Sequence, residues 1–299
     1  MTVRIVAFTL FSLGFLAGGA LAASPEDDYI AARDKDIAQI KRLTAAKTDD
    51  KKVQAENDKM LADLEKRLSA ILGPFTIAGY PAAGKLGADT LFTESADSGM
   101  LDGLEHSAGD DQPRVIVTTP TLVERWLRAK SADQDPEQRL PAQVNAALPL
   151  DRFYTYAIAG DAAFAKTADL AVTKPKGADL VIAELGGFAQ DIGPNPLQQI
   201  LVTLQKDGRI YIAIQPPKSP IGKIAACEAV WSAATKKAEE LQKANAEKKD
   251  DKLFDESTKA EDKGDKDYRA CLIARTPQEA FYPALVKETQ ELADRLAAH

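Results

Sequence analysis

With 299 residues and 45% hydrophobic content, the chain can bury one large core or two ordinary ones. The formal charge of −7, with Lys and Arg dispersed, argues against nucleic acid or an anionic membrane as the main partner. There are only two histidines, one of them the terminal His299, so a His-based triad or a His-rich metal site is nearly excluded.

The first 22 residues read as a secretory signal peptide. Arg4 supplies a positive start, residues 5–16 are mostly apolar, and Ala20-Leu21-Ala22 fits a small-x-small cleavage site. Removing the only charge of that segment takes the mature chain from −7 to −8. No later apolar run is long enough to span a membrane. In an exported chain the two cysteines, Cys227 and Cys271, are expected to pair.

Residues 26–72 predict a helical hairpin. Ile30, Ile37, Ile40 and Leu43 form one apolar stripe, and Val53, Met60, Leu61, Leu64, Leu68, Ile71 and Leu72 form the other. Thr48-Asp49-Asp50 offers a helix start, and Gly73-Pro74 a stop. The stripes suit an intramolecular pair better than a coiled-coil dimer, being short for one.

From 75 to 217 the texture changes to short apolar runs separated by Gly, Pro and Asp. Strands are expected over 75–78, 115–119, 153–159 and 180–185, with helices over 120–129 and 142–148. The stretches 79–87, 97–112 and 186–196 read as loops, unless Met100–Leu104 makes a helical turn, and His106 reads as an exposed loop residue. The strongest signal is the hairpin within 198–217. A three-residue loop, Lys206-Asp207-Gly208, would pair Leu204 with Ile210, Val202 with Ile212 and Ile200 with Ile214. Six branched residues would then share one face.

The region 219–299 is again helical. Ser219 and Pro220 suit an N-cap and first turn, and Ile224, Cys227, Trp231, Ala234, Ala238 and Leu241 form a single seam. The Lys/Asp/Glu-rich run over 248–267 reads as a solvated helix or a connection. Thr276-Pro277-Gln278-Glu279 looks like a capping box, and Pro283 marks the start of the last helix. The expected class is therefore α+β. A mixed sheet carries a C-terminal β-hairpin, flanked by the N-terminal helical hairpin and a disulfide-linked C-terminal helical pair.

Several constellations could carry chemistry. Residues 79–86, GYPAAGKL, match phosphate-loop spacing up to the last position, where Leu86 stands in place of a magnesium-holding hydroxyl. Asp161, Glu184 and Asp191 lie near strand ends, where two carboxyls could act as acid and base or nucleophile on a glycosidic bond. Cys227, with Glu228 beside it, is better read as a structural cysteine than as a nucleophile. No resident cofactor or metal is expected. The favoured expectation is a secreted or periplasmic, non-catalytic cell-envelope protein that binds a protein or envelope component, or itself, through its helices. The alternative is a carboxylate-dependent hydrolase of envelope polysaccharide or peptide.

Overall fold

The computed structural model describes residues 24–81, 84–86, 102–107, 113–123, 164–188, 198–249 and 251–299. The signal segment 1–22, the strand 153–159 and the helix 142–148 fall outside them.

Helix α1 (Pro25–Ala45) starts at a capping box. Ser24 Oγ accepts the Asp27 N–H, and the Asp27 carboxylate reaches back to the Ser24 N–H at 2.9 Å. Helix α2 (Asp50–Leu72) is capped by Asp49, which accepts from the Lys51 N–H. It ends at Gly73, whose φ of 68° and following proline stop it as the sequence suggests. The two stripes face each other and then the body, so Ile37, Ile40, Leu64, Leu68 and Leu72 are all buried.

The sheet contains β1 (Leu104–Ser107), β2 (Arg114–Thr118), β3 (Phe164–Asp169), β4 (Leu180–Phe188), β5 (Gln199–Lys206) and β6 (Arg209–Gln215). Its order is β1-β2-β6-β5-β4-β3. The α+β class is as expected, but all five ladders are antiparallel, so the described sheet is not mixed. The β5–β6 hairpin occupies its centre.

The hairpin register differs from the expected one. Leu204 pairs with Tyr211, Val202 with Ala213, and Lys206 with Arg209, leaving a two-residue turn at Asp207-Gly208. Both turn residues have positive φ, 50° and 73°, as a type I′ turn requires. The reason is burial on both faces. Ile200, Val202, Leu204, Tyr211 and Ala213 join the core under the helices, while Leu201, Thr203, Ile210, Ile212 and Ile214 on the other face are buried as well. An apolar side chain therefore gains nothing by moving to a particular face, and the turn's backbone preference decides the register.

Other boundaries shift too. Residues 75–78 form no strand, although Phe75 and Ile77 are buried. The expected loop at 97–112 contains β1, and β4 runs on to Phe188 into the expected loop at 186–196. The helix expected at 120–129 is helical over its described residues, 120–123.

After β6 the chain does not enter a helix at Ser219-Pro220. Residues 216–224 run as an irregular connector, tied down by Glu288, which accepts the Lys218 and Ser219 N–H groups at 2.8 and 3.1 Å. Helix α3 (Ala225–Lys248) begins only after Ile224 and ends at left-handed Lys249. Helix α4 (Asp251–Arg275) then returns along it, so the charged run 248–267 is largely helix. Thr276 forms no capping box. It is buried in a short 3-10 turn, Thr276–Gln278.

Helix α5 (Tyr282–Ala297) lays Leu285, Leu292, Ala293 and Leu296 onto the core, packing against β5. Its last carbonyls are held by Lys206, whose Nζ donates to Ala297 O and His299 O at 2.6 Å each. A cation at a helix C-terminus meets both the free carbonyls and the dipole there.

Candidate functional site

The α3–α4 pair forms an arm, and α4 meets the body at β3 and at the turn Thr276–Gln278. Cys227 and Cys271 are bonded at the base of the arm, with Cα atoms 5.5 Å apart, and pack with Ile224, Tyr268 and Leu272. Farther out the helices touch through small residues. A Cβ added at Gly264 would stand 2.2 Å from Ala234 Cβ, and Ser257 Oγ donates to Ala238 O at 3.1 Å. Between 239 and 256 no described residue is buried, and Phe254 is 60% exposed. The arm is therefore a narrow seam with two solvated outer faces.

Where the arm meets the body, the connector 216–224 stands away from α4 and leaves an open cleft of about 460 Å³. Its apolar walls include Ile221, Ile224, Leu272 and Phe281. Its polar lining is Gln198, just before β5, Lys218, Ser219 and Lys223 on the connector, Glu228 in the first turn of α3, Tyr268 on α4, and Thr276. The Tyr268 hydroxyl donates to Glu228 Oε1 at 3.1 Å. Burial, then the charge of Glu228 and the hydrogen bond to it, push the Tyr268 phenol up to about 12. Tyr268 is thus a neutral donor at physiological pH, while Glu228 has no cation within salt-bridge distance among the described residues. Gln198 Oε1 is buried and has no hydrogen-bond partner. The cleft is lined by one carboxylate, Glu228, and two lysines, Lys218 and Lys223, between apolar walls. It can both donate and accept hydrogen bonds.

The residues singled out from sequence are placed differently. Glu184 lies within β4, buried, opposite Leu201 and Asp169, on the sheet face away from α5. Asp161 and Asp191 are outside the described residues. Cys227 is the disulfide partner expected of it, which removes it as a nucleophile. In the phosphate-loop-like stretch the backbone groups of Lys85 and Leu86 are engaged within the protein. Lys85 exchanges backbone hydrogen bonds with Glu105, and the Glu65 carboxylate already accepts the Leu86 N–H at 2.9 Å.

His106 is the clearest correction. It is buried on β1, 4.6 Å from the Phe75 ring, and not exposed in a loop. Its Nδ1 lies 2.9 Å from the Pro81 carbonyl, which can only accept, so Nδ1 carries the proton. Burial lowers its pKa, and that hydrogen bond opposes the shift in part. Both histidine rings pack tilted against Phe75, His299 at 5.7 Å. No group of three or more metal-ligating side chains occurs among the described residues.

Sequence reading also missed a buried ion pair. Arg33 Nε on α1 stands 2.8 Å from the Asp102 carboxylate, which also accepts from the Tyr29 hydroxyl at 3.0 Å. Arg33 and Asp102 are each 3% exposed. With its backbone oxygen held by Thr118 Oγ1, Asp102 ties α1 to the β1–β2 edge, a structural role. The signal was available, since Arg33 sits between Tyr29 and Ile37 on the apolar stripe of α1. Gln198 and Tyr268 had no comparable mark, because their meeting depends on the path of the connector.

No protein-family model matches the sequence, and comparison with curated proteins and with solved structures gave no match.

Proposed function

We propose that this is an exported, non-catalytic cell-envelope protein, periplasmic or secreted, that binds a protein or other envelope component through its helical parts. The observation that carries this reading is the arm. Two helices of 24 and 25 residues are held together by one thin seam and a disulfide, leaving their outer faces to solvent. A body that needed only stability would gain little from such an extension, since each helix buries few side chains. The disulfide suits an oxidising compartment, the destination expected from the apolar, Arg4-led start of the chain. No helix among the described residues is long and apolar enough to cross a membrane.

The test uses a photo-crosslinking side chain installed in the full chain, in its native host. Lys237 on α3 and Lys266 on α4 sample the arm, and Lys59 on α2 samples the body; all three are exposed. The same discrete adduct from both arm positions, absent at Lys59, is the expected result. Adducts no different between arm and body would overturn it. Loss of an envelope-degrading activity in Glu184→Gln would instead favour the carboxylate hydrolase, for which Asp161, Glu184 and Asp191 are the candidates.

A further inference from the structure

We infer that the cleft at the base of the arm binds a neutral saccharide ring, the hydroxylated unit of an envelope polysaccharide. This deepens the reading of a protein that binds an envelope component, and rests on it.

The observation that carries it is the Thr276 hydroxyl. Thr276 lines the cleft and is only 3% exposed, yet its hydroxyl has no hydrogen-bond partner among the described residues. Unlike the Gln198 oxygen, it is not sealed from solvent, so a molecule in the cleft can reach it. A hydroxyl in such a place is best satisfied by a group that both donates and accepts. On α3, Glu228 accepts the Tyr268 hydroxyl at Oε1 and keeps its second oxygen for a donor. Lys218 and Lys223 add donors from the connector.

Charge selects neither sign of ligand. A cation would face Lys218 and Lys223, and an anion would face Glu228. A wholly apolar molecule would leave the Thr276 hydroxyl unpaired and strip water from Glu228. What fits is a neutral molecule with an apolar face and several hydroxyls, each of them both donor and acceptor. A sugar ring has that form. Its C–H face can lie on Ile221, Leu272 and the half-buried Phe281 ring, while its hydroxyls meet Thr276, Glu228 and the lysines. The volume, about 460 Å³, lies within the range of specific small-molecule sites.

A polypeptide also donates and accepts, but through its backbone, and the connector is poorly equipped to pair with it as a strand. Pro216, Pro217 and Pro220 have no N–H, and Glu288 already holds those of Lys218 and Ser219. Recognition in this cleft therefore falls to side chains.

The experiment uses the full chain, disulfide intact, titrated with cellobiose, with N,N′-diacetylchitobiose and with the capped tripeptide Ala-Ser-Ala. The NMR signals of the Thr276 methyl and the Phe281 ring report the site. At least one disaccharide should shift both signals saturably, with the tripeptide at least about tenfold weaker. Thr276→Val keeps the shape and removes the hydroxyl, and it should weaken disaccharide binding about fivefold, the worth of one neutral hydrogen bond. Glu228→Ala, at a half-exposed position, gives a second variant should Thr276→Val fail to fold, and it should weaken binding in the same direction. Lys243→Gln, on the outer part of the arm, should change nothing. No saturable shift with either disaccharide at millimolar concentration would overturn the inference, as would unchanged affinity in the cleft variants. Equal binding of Ala-Ser-Ala would overturn it in favour of a peptide site. Arm-specific crosslinks persisting beside such a result would leave the broader reading intact, and their absence would remove both.

Discussion

The sheet body and the helical arm are stabilised in different ways. In the body, the β5–β6 hairpin is buried on both faces, and α1, α2 and α5 share one continuous core with it. In the arm, the line along which α3 and α4 touch is made by Ala234, Ala238, Ser257 and Gly264, which allow close approach but bury little apolar area, and α4 also lies against β3. Burial is worth roughly 25 cal/mol per Å², so the body has a large reserve and the arm a small one. The arm depends on a covalent tie where the body depends on area. The body can lose one contact and stay folded, whereas the arm is positioned by a few.

Breaking the disulfide tests this contrast most severely. The bond joins residues 44 apart in sequence, and a loop of that length is worth about 4 kcal/mol on the chain-entropy estimate. Reduction, or the Cys227→Ala, Cys271→Ala pair, should open α3 and α4 to hydrogen exchange. Amides of β4, β5 and β6 should stay protected under the same conditions. Equal loss of protection in both regions would mean that arm and body unfold as one unit.

Gly264→Ala sharpens the comparison within the arm. Alanine favours a helix over glycine by about 1 kcal/mol. The added Cβ, however, would meet Ala234 Cβ at 2.2 Å, and that neighbour has no flexible end to move aside. Overpacking costs about 1–3 kcal/mol, so it should win, with a net loss near 1 kcal/mol. Faster exchange near the middle of α3 and α4, without change in the sheet, is the expected result. A stabilised variant would show that the helices have room to separate.

The smallest effect concerns the body. His106 is buried with its pKa lowered, so the folded state binds the proton less readily than the unfolded chain. The stability it contributes is fully present above the ordinary imidazole value of 6.5. It declines as pH falls below that value, until the folded-state pKa is passed. Thermal unfolding of the wild type and of His106→Asn should therefore diverge in pH slope below 6.5. Parallel slopes would show that the histidine does not experience its burial as a cost.

Much of the architecture was legible because it rests on local signals. The spacing of Ile37, Ile40, Leu64 and Leu68 marked the helical hairpin, Gly73-Pro74 its end, and Cys227 with Cys271 the covalent tie. The misread parts all depend on partners distant in the chain. Ser219-Pro220 has the chemistry of a helix start, but the connector there is irregular and held by Glu288, 69 residues later, and the helix starts only after Ile224. His106 lies in a segment of loop-like composition, and pairing of β1 with β2 is what draws it into the core. The candidate cleft was the least legible feature, since Gln198, Glu228 and Tyr268 come from three elements with no shared spacing.

The sequence alone determined the α+β class, the two helical pairs, the position of the central hairpin and the identity of the disulfide. Periodicity, caps and cysteine count act over a few residues or leave no alternative partner. Tertiary structure decided the hairpin register, the all-antiparallel order, the late start of α3 and the cleft between arm and body. Each of these depends on which surfaces are covered and which backbone groups are already bonded. A one-dimensional pattern carries no record of either.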